Sequence, residues 1–218
     1  MPKSDASWNG SLRIVGDLER PDHHLLRQED ECYFMGSYTS GAGYAHSFTN
    51  NLINNLKKPM SKQGTPEWPH KRKAIRDAAD ALREGLQPGA IAVSAFIPVP
   101  PSCPKGHPNH DDRMTQIARR IAPTGDVREL LLTTVERPPR HTSTAPRDTA
   151  ALRATIAVDD KLRVPRPKQV IMLDDVMTTG CGFRVCKDLI QEVWPGITVY
   201  GVFVARVARP PITFASTW

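Results

Sequence analysis

The most informative part of the chain is the run VIMLDDVMTTGCG at residues 170–182. Its four leading apolar residues predict a buried strand over 170–173. Two acidic residues, two threonines and two glycines follow, and this composition predicts a tight polar turn. Apolar residues at helical spacing then predict a helix, which Pro195-Gly196 ends. The buried face of that helix is expected to contain Phe183, Val185, Cys186, Leu189, Ile190 and Val193.

Strands and helices are predicted to alternate along the rest of the chain. Helices are predicted from Phe48 onward, where Leu52, Ile53 and Leu56 share a face, and over residues 70–86, 112–122 and 148–156. Strands are predicted over residues 91–99, 127–135 and 197–207, and Pro88-Gly89 is expected to end the second helix. This order indicates an α/β fold with a mostly parallel sheet and flanking helices on both faces. Such sheets bind their ligands at the carboxyl ends of the strands.

The length of 218 residues fits one α/β domain with an appendage. Residues 1–47 predict a strand-and-loop extension or hood, and residues 48–218 predict the α/β domain. No apolar run reaches the roughly 20 residues of a membrane span, and the N-terminus lacks a secretory signal, so a cytoplasmic protein with no membrane partner is expected. The four cysteines are scattered along the sequence, as expected for reduced thiols.

The net charge of +6 and the pI of about 9.3 favour anionic partners. Those partners could be nucleic acid or a polyphosphate substrate, and charge alone does not separate the two. The basic residues are dispersed, without a block of five or six like charges, so a dedicated nucleic-acid-binding tail is disfavoured.

The turn after the 170–173 strand has the residue types of a phosphate site next to a sugar site. Amides at a helix N-terminus attract a phosphate, and Gly180 and Gly182 let the backbone approach it closely. The hydroxyls of Thr178 and Thr179 add donors. Asp174 and Asp175 require sugar hydroxyls or Mg²⁺ beside an anion. A 5-phosphoribosyl group satisfies all of these requirements. The alternative is a capped helix after an ordinary turn, but one acidic residue suffices for a cap.

This segment resembles the signature that binds phosphoribosyl pyrophosphate (PRPP) in type I phosphoribosyltransferases. The resemblance implies that Asp174 and Asp175 hold the ribose 2′- and 3′-hydroxyls, with Mg²⁺ as the cofactor. It also implies that the turn surrounds the 5′-phosphate, through Thr178, Thr179, Gly180, Cys181 and Gly182. One departure is Gly182, which stands where the family usually has serine or threonine.

The region from about residue 48 to 207 is similar to the ComF-like branch of that family. The stretch FIPVPPS at 96–102 resembles its pyrophosphate loop, which implies pyrophosphate contacts from Pro101 and Ser102. Lys105, in the same loop, is expected to pair with pyrophosphate oxygens. The stretch PPRH at 138–141, with Arg147-Asp148, resembles the mobile loop. Its charged residues are expected either to stabilise the charge on departing pyrophosphate or to be solvated loop charges; they are Arg137, Arg140 and His141. The branch's Arg-Gly-Phe-Asn-Gln stretch has no clear counterpart at residues 110–114.

Cys103, His107 and His110 form a C-x₃-H-x₂-H cluster whose residue types suit zinc. A structural zinc site needs a fourth ligand, which Cys32 or Asp111 would have to supply. A polar loop beside the pyrophosphate subsite is the favoured alternative.

Two functions therefore compete at this stage, with a third ranked last. The first is transfer of a phosphoribosyl group from PRPP to a nitrogen nucleophile with release of pyrophosphate. The second is a PRPP- or nucleotide-sensing module of a larger, nucleic-acid-related assembly, and the third is plain nucleic-acid binding. The acceptor and the oligomeric state stay open, although homodimers are common among the proteins that this chain resembles.

Overall fold

A six-stranded sheet forms the centre of the computed structural model, which describes residues 7–137 and 148–208. Its strands are β1 (Trp8–Ile14), β2 (Cys32–Tyr38), β3 (Ser94–Pro98), β4 (Asp126–Val127), β7 (Gln169–Met177) and β8 (Val199–Val207), and a two-stranded sheet contains β5 (Leu131–Thr133) and β6 (Ile156–Val158). The order in the large sheet is β1-β2-β8-β7-β3-β4. Only the β1–β2 pair of that sheet is antiparallel. The predicted α/β class with a mostly parallel sheet is confirmed.

Helices cover both faces of the large sheet, as the alternation predicts. They are α1 (Phe48–Leu56), α2 (Trp68–Gly85), α3 (Pro88–Val93), α4 (Arg113–Ile121), α5 (Thr149–Arg153) and α6 (Cys181–Val193). One core contains α1, α2 and α4 against Ile171 and Leu173 of β7. The other contains α6 against Val170 and Met172. None of the helices in the described residues combines the length and apolarity that a bilayer span requires.

Strand β7 is longer than the 170–173 run suggests. It continues through the acidic pair to Met177, because Asp174, Val176 and Met177 stay in register with Phe203, Ala205 and Arg206 of β8. Pairing with the neighbouring strand therefore determines where β7 ends, rather than the last apolar residue of the local sequence.

The strand predicted over 91–99 is wrong in its first part. Residues 91–93 belong to α3, which Pro88 begins, so Pro88-Gly89 starts a helix instead of ending one. The strand begins at Ser94, and every residue of β3 is buried, whereas Val93 is exposed. Proline at a first helical turn lacks only an N–H that would have no intrahelical partner, which explains this start.

The strand predicted over 127–135 is also interrupted. β4 ends at Val127, and the Arg128 side chain donates to the carbonyls of Leu162 and Pro165, at 3.0 and 2.7 Å. The chain resumes as β5, which pairs with β6 in the separate hairpin. The helix predicted over 148–156 is correspondingly shorter, because Ile156 already belongs to β6.

Residues 7–38 extend the large sheet rather than forming a separate layer. β2 lies parallel to β8, with Cys32 opposite Gly201 and Tyr38 opposite Val207. The segment between β1 and β2 contains a short 3₁₀ helix, Arg20–His23. We call residues 20–30 the N-terminal segment.

Lys71 of α2 connects three parts of the helical layer from a fully buried position. Its ammonium donates to the carbonyls of Leu56 and Lys58, at 2.7 and 2.9 Å, and to Asp111 Oδ2 at 2.7 Å. Burial lowers the pKa of Lys71, and the charge of Asp111 opposes that effect. All three ammonium hydrogens therefore have acceptors in the interior.

Replacing Lys71 with methionine should lower the free energy of unfolding by about 3 kcal/mol, because Asp111 and two carbonyls lose a buried donor. Lys73→Met is the matched control on the same helix. Lys73 is exposed and forms an ion pair with Asp77 at the surface, so its loss should cost less than about 0.5 kcal/mol. Urea denaturation measures both values, and equal losses would contradict the assigned role of Lys71.

Candidate functional site

The turn of residues 178–180 joins the carboxyl end of β7 to the first residue of α6. Gly180 is the N-cap of α6 and has a φ of 87°, in the left-handed region that favours glycine. A glycine cap provides no side-chain acceptor for the first-turn amides of this 13-residue helix. The helix N-terminus, with its partial positive charge, therefore opens on this turn.

The N-terminal segment donates hydrogen bonds to two carbonyls of the turn, those of Thr178 and Thr179. His23 Nδ1 donates to the carbonyl of Thr178, and the backbone N–H of Leu25 donates to the carbonyl of Thr179 at 2.9 Å. In a trans peptide the N–H points opposite to the C=O. The only cis peptide of the described residues is Val164–Pro165. The amides of Thr179 and Gly180 consequently point away from the N-terminal segment.

Gly180 also allows the N-terminal segment to approach this closely. A Cβ at Gly180 would lie 2.8 Å from Leu26 Cδ2 and 3.2 Å from the backbone nitrogen of Leu26. Any larger residue would thus have to displace both a side chain and backbone. The glycine is required for its φ and for the packing.

A buried ionic cluster anchors the N-terminal segment to α6. The Asp30 carboxylate accepts from Arg27 N at 2.7 Å, from Arg184 Nη1 at 2.9 Å and from Lys187 Nζ at 2.7 Å. Burial by itself would raise the pKa of Asp30, but Lys187, the Arg27 amide and Arg184 outweigh it and lower the pKa. Asp30 is therefore an anion that joins the two elements around the turn.

The acidic pair is divided between the two faces of the sheet, because successive strand residues point to opposite sides. Asp175 lies on the side of α1 and α4 and is 4% exposed. Its Oδ2 accepts from Arg113 Nε at 3.1 Å, and its Oδ1 lies 3.4 Å from Lys57 Nζ. Asp174 is only partly buried, and its Oδ1 accepts the Asp175 amide at 2.8 Å.

Arg113 links Asp175 to Asp111, whose Oδ2 accepts from Arg113 Nη1 at 2.6 Å. Burial alone lowers the pKa of Arg113, but the charges of Asp175 and Asp111 outweigh it and raise the pKa above its ordinary value. Sequence analysis missed Arg113 and Lys57 as site residues. The only signal was the position of Arg113 in the 110–114 stretch, where the ComF-like motif was expected.

The loop after β3 leaves the sheet beside the acidic pair. Pro98 is in register with Leu173, and the Val99 amide donates to the Leu173 carbonyl at 2.8 Å. The loop borders a cleft of about 190 Å³, whose lining includes Pro101, Cys103, Lys105, His110, Glu129 and Thr133. The structure thus brings the predicted pyrophosphate loop to the same sheet edge as the 178–180 turn.

The three residues predicted to contact pyrophosphate, Pro101, Ser102 and Lys105, form hydrogen bonds or ion pairs with other protein residues. The Pro101 carbonyl accepts from Thr133 Oγ1 at 2.5 Å and from Arg137 Nη2 at 2.6 Å. The Ser102 carbonyl accepts from the Arg137 amide at 2.9 Å. Lys105 Nζ lies 3.1 Å from Glu129 Oε2 at the surface.

Most of the predicted mobile loop lies outside the described residues. This holds for Arg140, and equally for Pro138, Pro139, His141 and Arg147. Asp148 is described, and it caps α5 by accepting the Ala150 amide at 2.8 Å.

The structure groups only two of the three residues of the Cys103, His107 and His110 cluster by their ligand atoms. His110 Nδ1 lies 3.0 Å from the Cys103 carbonyl, so that nitrogen is engaged by backbone. Glu136 takes the place of His110, because its carboxylate lies near the Cys103 sulfur and the His107 ring. Cys32 lies in the core against α6, and Asp111 contacts Lys71 and Arg113.

Comparison with known proteins does not assign the chain to a family. No protein-family model matches the chain, and no curated protein matches it either. The resemblance of residues 170–182 to the phosphoribosyltransferase signature therefore stays an expectation from the sequence. The function has to be argued from the turn and from the charged groups around it.

Gly180→Ala should destabilise the protein more than Gly196→Ala. Both glycines have a left-handed φ, but a Cβ at Gly196 would meet nothing within 4 Å. Backbone strain alone is expected to cost about 1 kcal/mol in each variant. The contact with Leu26 should add at least about 1 kcal/mol in Gly180→Ala. Equal losses in urea denaturation would show that Leu26 yields without cost.

His23 should make stability depend on pH. Burial lowers the pKa of His23, the bond to the Thr178 carbonyl opposes this, and the charge of Arg206 adds to the lowering. Its Nε2 is buried and has no hydrogen-bond partner among the described residues. The unfolded state therefore binds the proton more tightly, and stability should fall as the pH drops below about 6.5.

The variant His23→Asn keeps a donor near the Thr178 carbonyl and removes the titration. Its free energy of unfolding should change less between pH 7.5 and 5.5 than that of the parent protein. His24→Asn, at the exposed neighbouring position, should leave the parent slope unchanged. A parent slope that survives in His23→Asn would assign the effect to another group.

Proposed function

We propose that this chain binds PRPP at the carboxyl end of β7 and transfers its phosphoribosyl group to a nitrogen nucleophile, with release of pyrophosphate. One observation carries the proposal. The carbonyls of Thr178 and Thr179 are held by His23 and Leu25, so the next two amides are directed away from the N-terminal segment, at the N-terminus of α6. Amides in that arrangement suit the 5′-phosphate.

Asp174 and Asp175 have different tasks in this proposal. Asp174 is the more accessible carboxylate and accepts hydrogen bonds from the ribose hydroxyls. Asp175 lies on the other face of the sheet and fixes Arg113 and Lys57, two cations beside the sheet edge. A contact between Asp175 and the ribose requires one of these ion pairs to open. Those cations offset the negative charge that the acidic pair presents to an anionic ligand.

Mg²⁺ is the cofactor that this proposal requires. It prefers oxygen ligands and is commonly held by one or two carboxylates together with substrate oxygens, and the acidic pair supplies donors of that type. When bound, Mg²⁺ neutralises charge on pyrophosphate. Asp174 and Asp175 would hold it indirectly, together with the ribose.

The reaction breaks the bond between the ribose C1′ and the pyrophosphate oxygen and forms a bond from C1′ to the acceptor nitrogen. The protein's part is to hold the ribose rigidly and to exclude water. Pyrophosphate leaves towards the 100–105 loop, where Pro101, Ser102 and Lys105 are the proposed contacts. Lys105 would exchange its partner Glu129 for a pyrophosphate oxygen, and Arg140 is the proposed cation of the mobile loop.

A sensing module that binds PRPP without turnover is the second candidate. Both oxygens of Asp175 already contact cations, which leaves Asp174 as the more accessible carboxylate for the ribose. One carboxylate positions the ribose less rigidly than two, and rigid positioning is what transfer needs. Release of pyrophosphate separates the two candidates, because only the enzyme produces it. Plain nucleic-acid binding predicts instead a steep salt dependence that is indifferent to Asp175→Asn.

PRPP with Mg²⁺ should raise the melting temperature of the protein, because a ligand that binds only the native state stabilises it by about 2.7 kcal/mol at 100 times its Kd. The measurement is a thermal-shift titration with PRPP, ribose 5-phosphate and nucleotides, with and without Mg²⁺. Asp174→Asn and Gly180→Ala should lose the shift. Asp160→Asn, at an exposed surface position, is the control and should keep it.

A second assay follows pyrophosphate release from PRPP with a panel of nitrogen nucleophiles. A PRPP-dependent shift without release supports the sensing module. A shift that is absent, or that survives in Asp174→Asn and Gly180→Ala, would overturn the proposed site.

A further inference from the structure

Three side chains with metal-ligating atoms meet beside the 100–105 loop, apart from the acidic pair. Cys103, His107 and Glu136 each offer one such atom, and these atoms lie within 4.8 Å of one another. The Cys103 sulfur is 3.7 Å from Glu136 Oε1, and His107 Nε2 is 3.7 Å from Glu136 Oε2. Around a tetrahedral zinc ion, ligand atoms at the usual bond lengths are about 3.5 Å apart. The two 3.7 Å distances are to different Glu136 oxygens, so the Glu136 side chain has to rotate to bring one oxygen onto an ion shared with Cys103 and His107.

Backbone contacts hold this group together without the help of a metal. The turn after Cys103 contains Gly106 at a φ of 86°, and the His107 amide donates to the Pro104 carbonyl at 3.2 Å. This turn places a cysteine and a histidine four residues apart on one loop. A second contact holds the segment that carries Glu136 next to Cys103, because the Arg137 amide donates to the Ser102 carbonyl at 2.9 Å.

The exposure of the three ligands is graded from the interior to the surface. Cys103 is 5% exposed, the His107 side chain 29% and the Glu136 side chain 56%. Glu136 is the most exposed of the three, so an ion would enter from its side, and a water or another oxygen donor would be the fourth ligand. Three protein ligands and an open position is the coordination typical of zinc sites that bind a further ligand.

We propose that Cys103, His107 and Glu136 bind one Zn²⁺ ion, with water or an anionic oxygen as the fourth ligand. A sulfur, a nitrogen and a carboxylate oxygen suit zinc, whereas Mg²⁺ and Ca²⁺ require oxygen ligands. Binding removes the proton of the Cys103 thiol, which passes to solvent. The ion would join the 100–105 loop to the segment before residue 138.

Zinc binding through Nε2 of His107 would break one hydrogen bond of that ring. The Asn109 amide donates to His107 Nδ1 at 3.1 Å, so the neutral ring carries its proton on Nε2. Coordination moves that proton to Nδ1 and breaks the Asn109 bond. The bond is exposed, so water can replace it.

The test uses the full chain after treatment with a chelator, with Co²⁺ as a spectroscopic probe and Zn²⁺ as its competitor. We expect one Co²⁺ per chain, with a thiolate charge-transfer band and intense visible bands typical of tetrahedral cobalt, all displaced by Zn²⁺. Cys103→Ser should abolish the charge-transfer band. Glu136→Gln should weaken Zn²⁺ binding at least about tenfold, as measured against a chromophoric chelator.

His110→Asn is the control that separates this site from the cluster of Cys103, His107 and His110. Asparagine can keep a donor to the Cys103 carbonyl, so the variant should bind Zn²⁺ as the parent does. Circular dichroism and thermal melting without metal check that every variant is folded. A missing charge-transfer band, or binding that His110→Asn loses and Glu136→Gln keeps, would overturn the proposal. The assay contains no PRPP, so its outcome is independent of the proposed function.

Discussion

Two hydrogen bonds from the N-terminal segment, to the carbonyls of Thr178 and Thr179, fix the orientation of the turn between β7 and α6. The direction of the turn's amides follows from them, because the peptides are trans and planar. Those two bonds also require that the N-terminal segment is docked on α6. The Asp30 carboxylate secures this docking, because it accepts hydrogen bonds from Arg184 and Lys187 of α6. The N-terminal segment thus holds the turn in one orientation from the side of its carbonyls.

A second ionic chain lies on the opposite face of the sheet. It runs from Lys71 through Asp111 and Arg113 to Asp175, with Lys57 at its end. Each carboxylate contacts two cations, which a low-dielectric environment requires of buried charges. The chain connects α1, α2, α4 and β7, so the position of Asp175 is coupled to the packing of three helices. The two networks hold the acidic pair and the turn from different sides.

The sequence was most informative where structure is determined locally. The apolar run at 170–173, the glycines of the turn and the apolar face of α6 each reflect a short-range requirement, and the predicted strand, turn and helix are present. Other features depend on partners far along the chain. The extension of β7 needs β8, the turn needs His23 at a separation of 155 residues, and Asp175 needs Arg113 at a separation of 62. A local sequence pattern gives no information on contacts between distant residues, so these three contacts were not predicted.

The position of β8 between β2 and β7 has a consequence for how the protein is made. The N-terminal segment leads directly into β2, and β2 pairs with β8, so these contacts join residues that lie far apart in the sequence. During synthesis, β2 and the N-terminal segment before it can therefore reach this arrangement only after β8 has left the ribosome. Contacts of such long sequence separation form slowly. The docking of β2 on β8 is thus a late event in folding, and a fragment that ends before β8 would lack it.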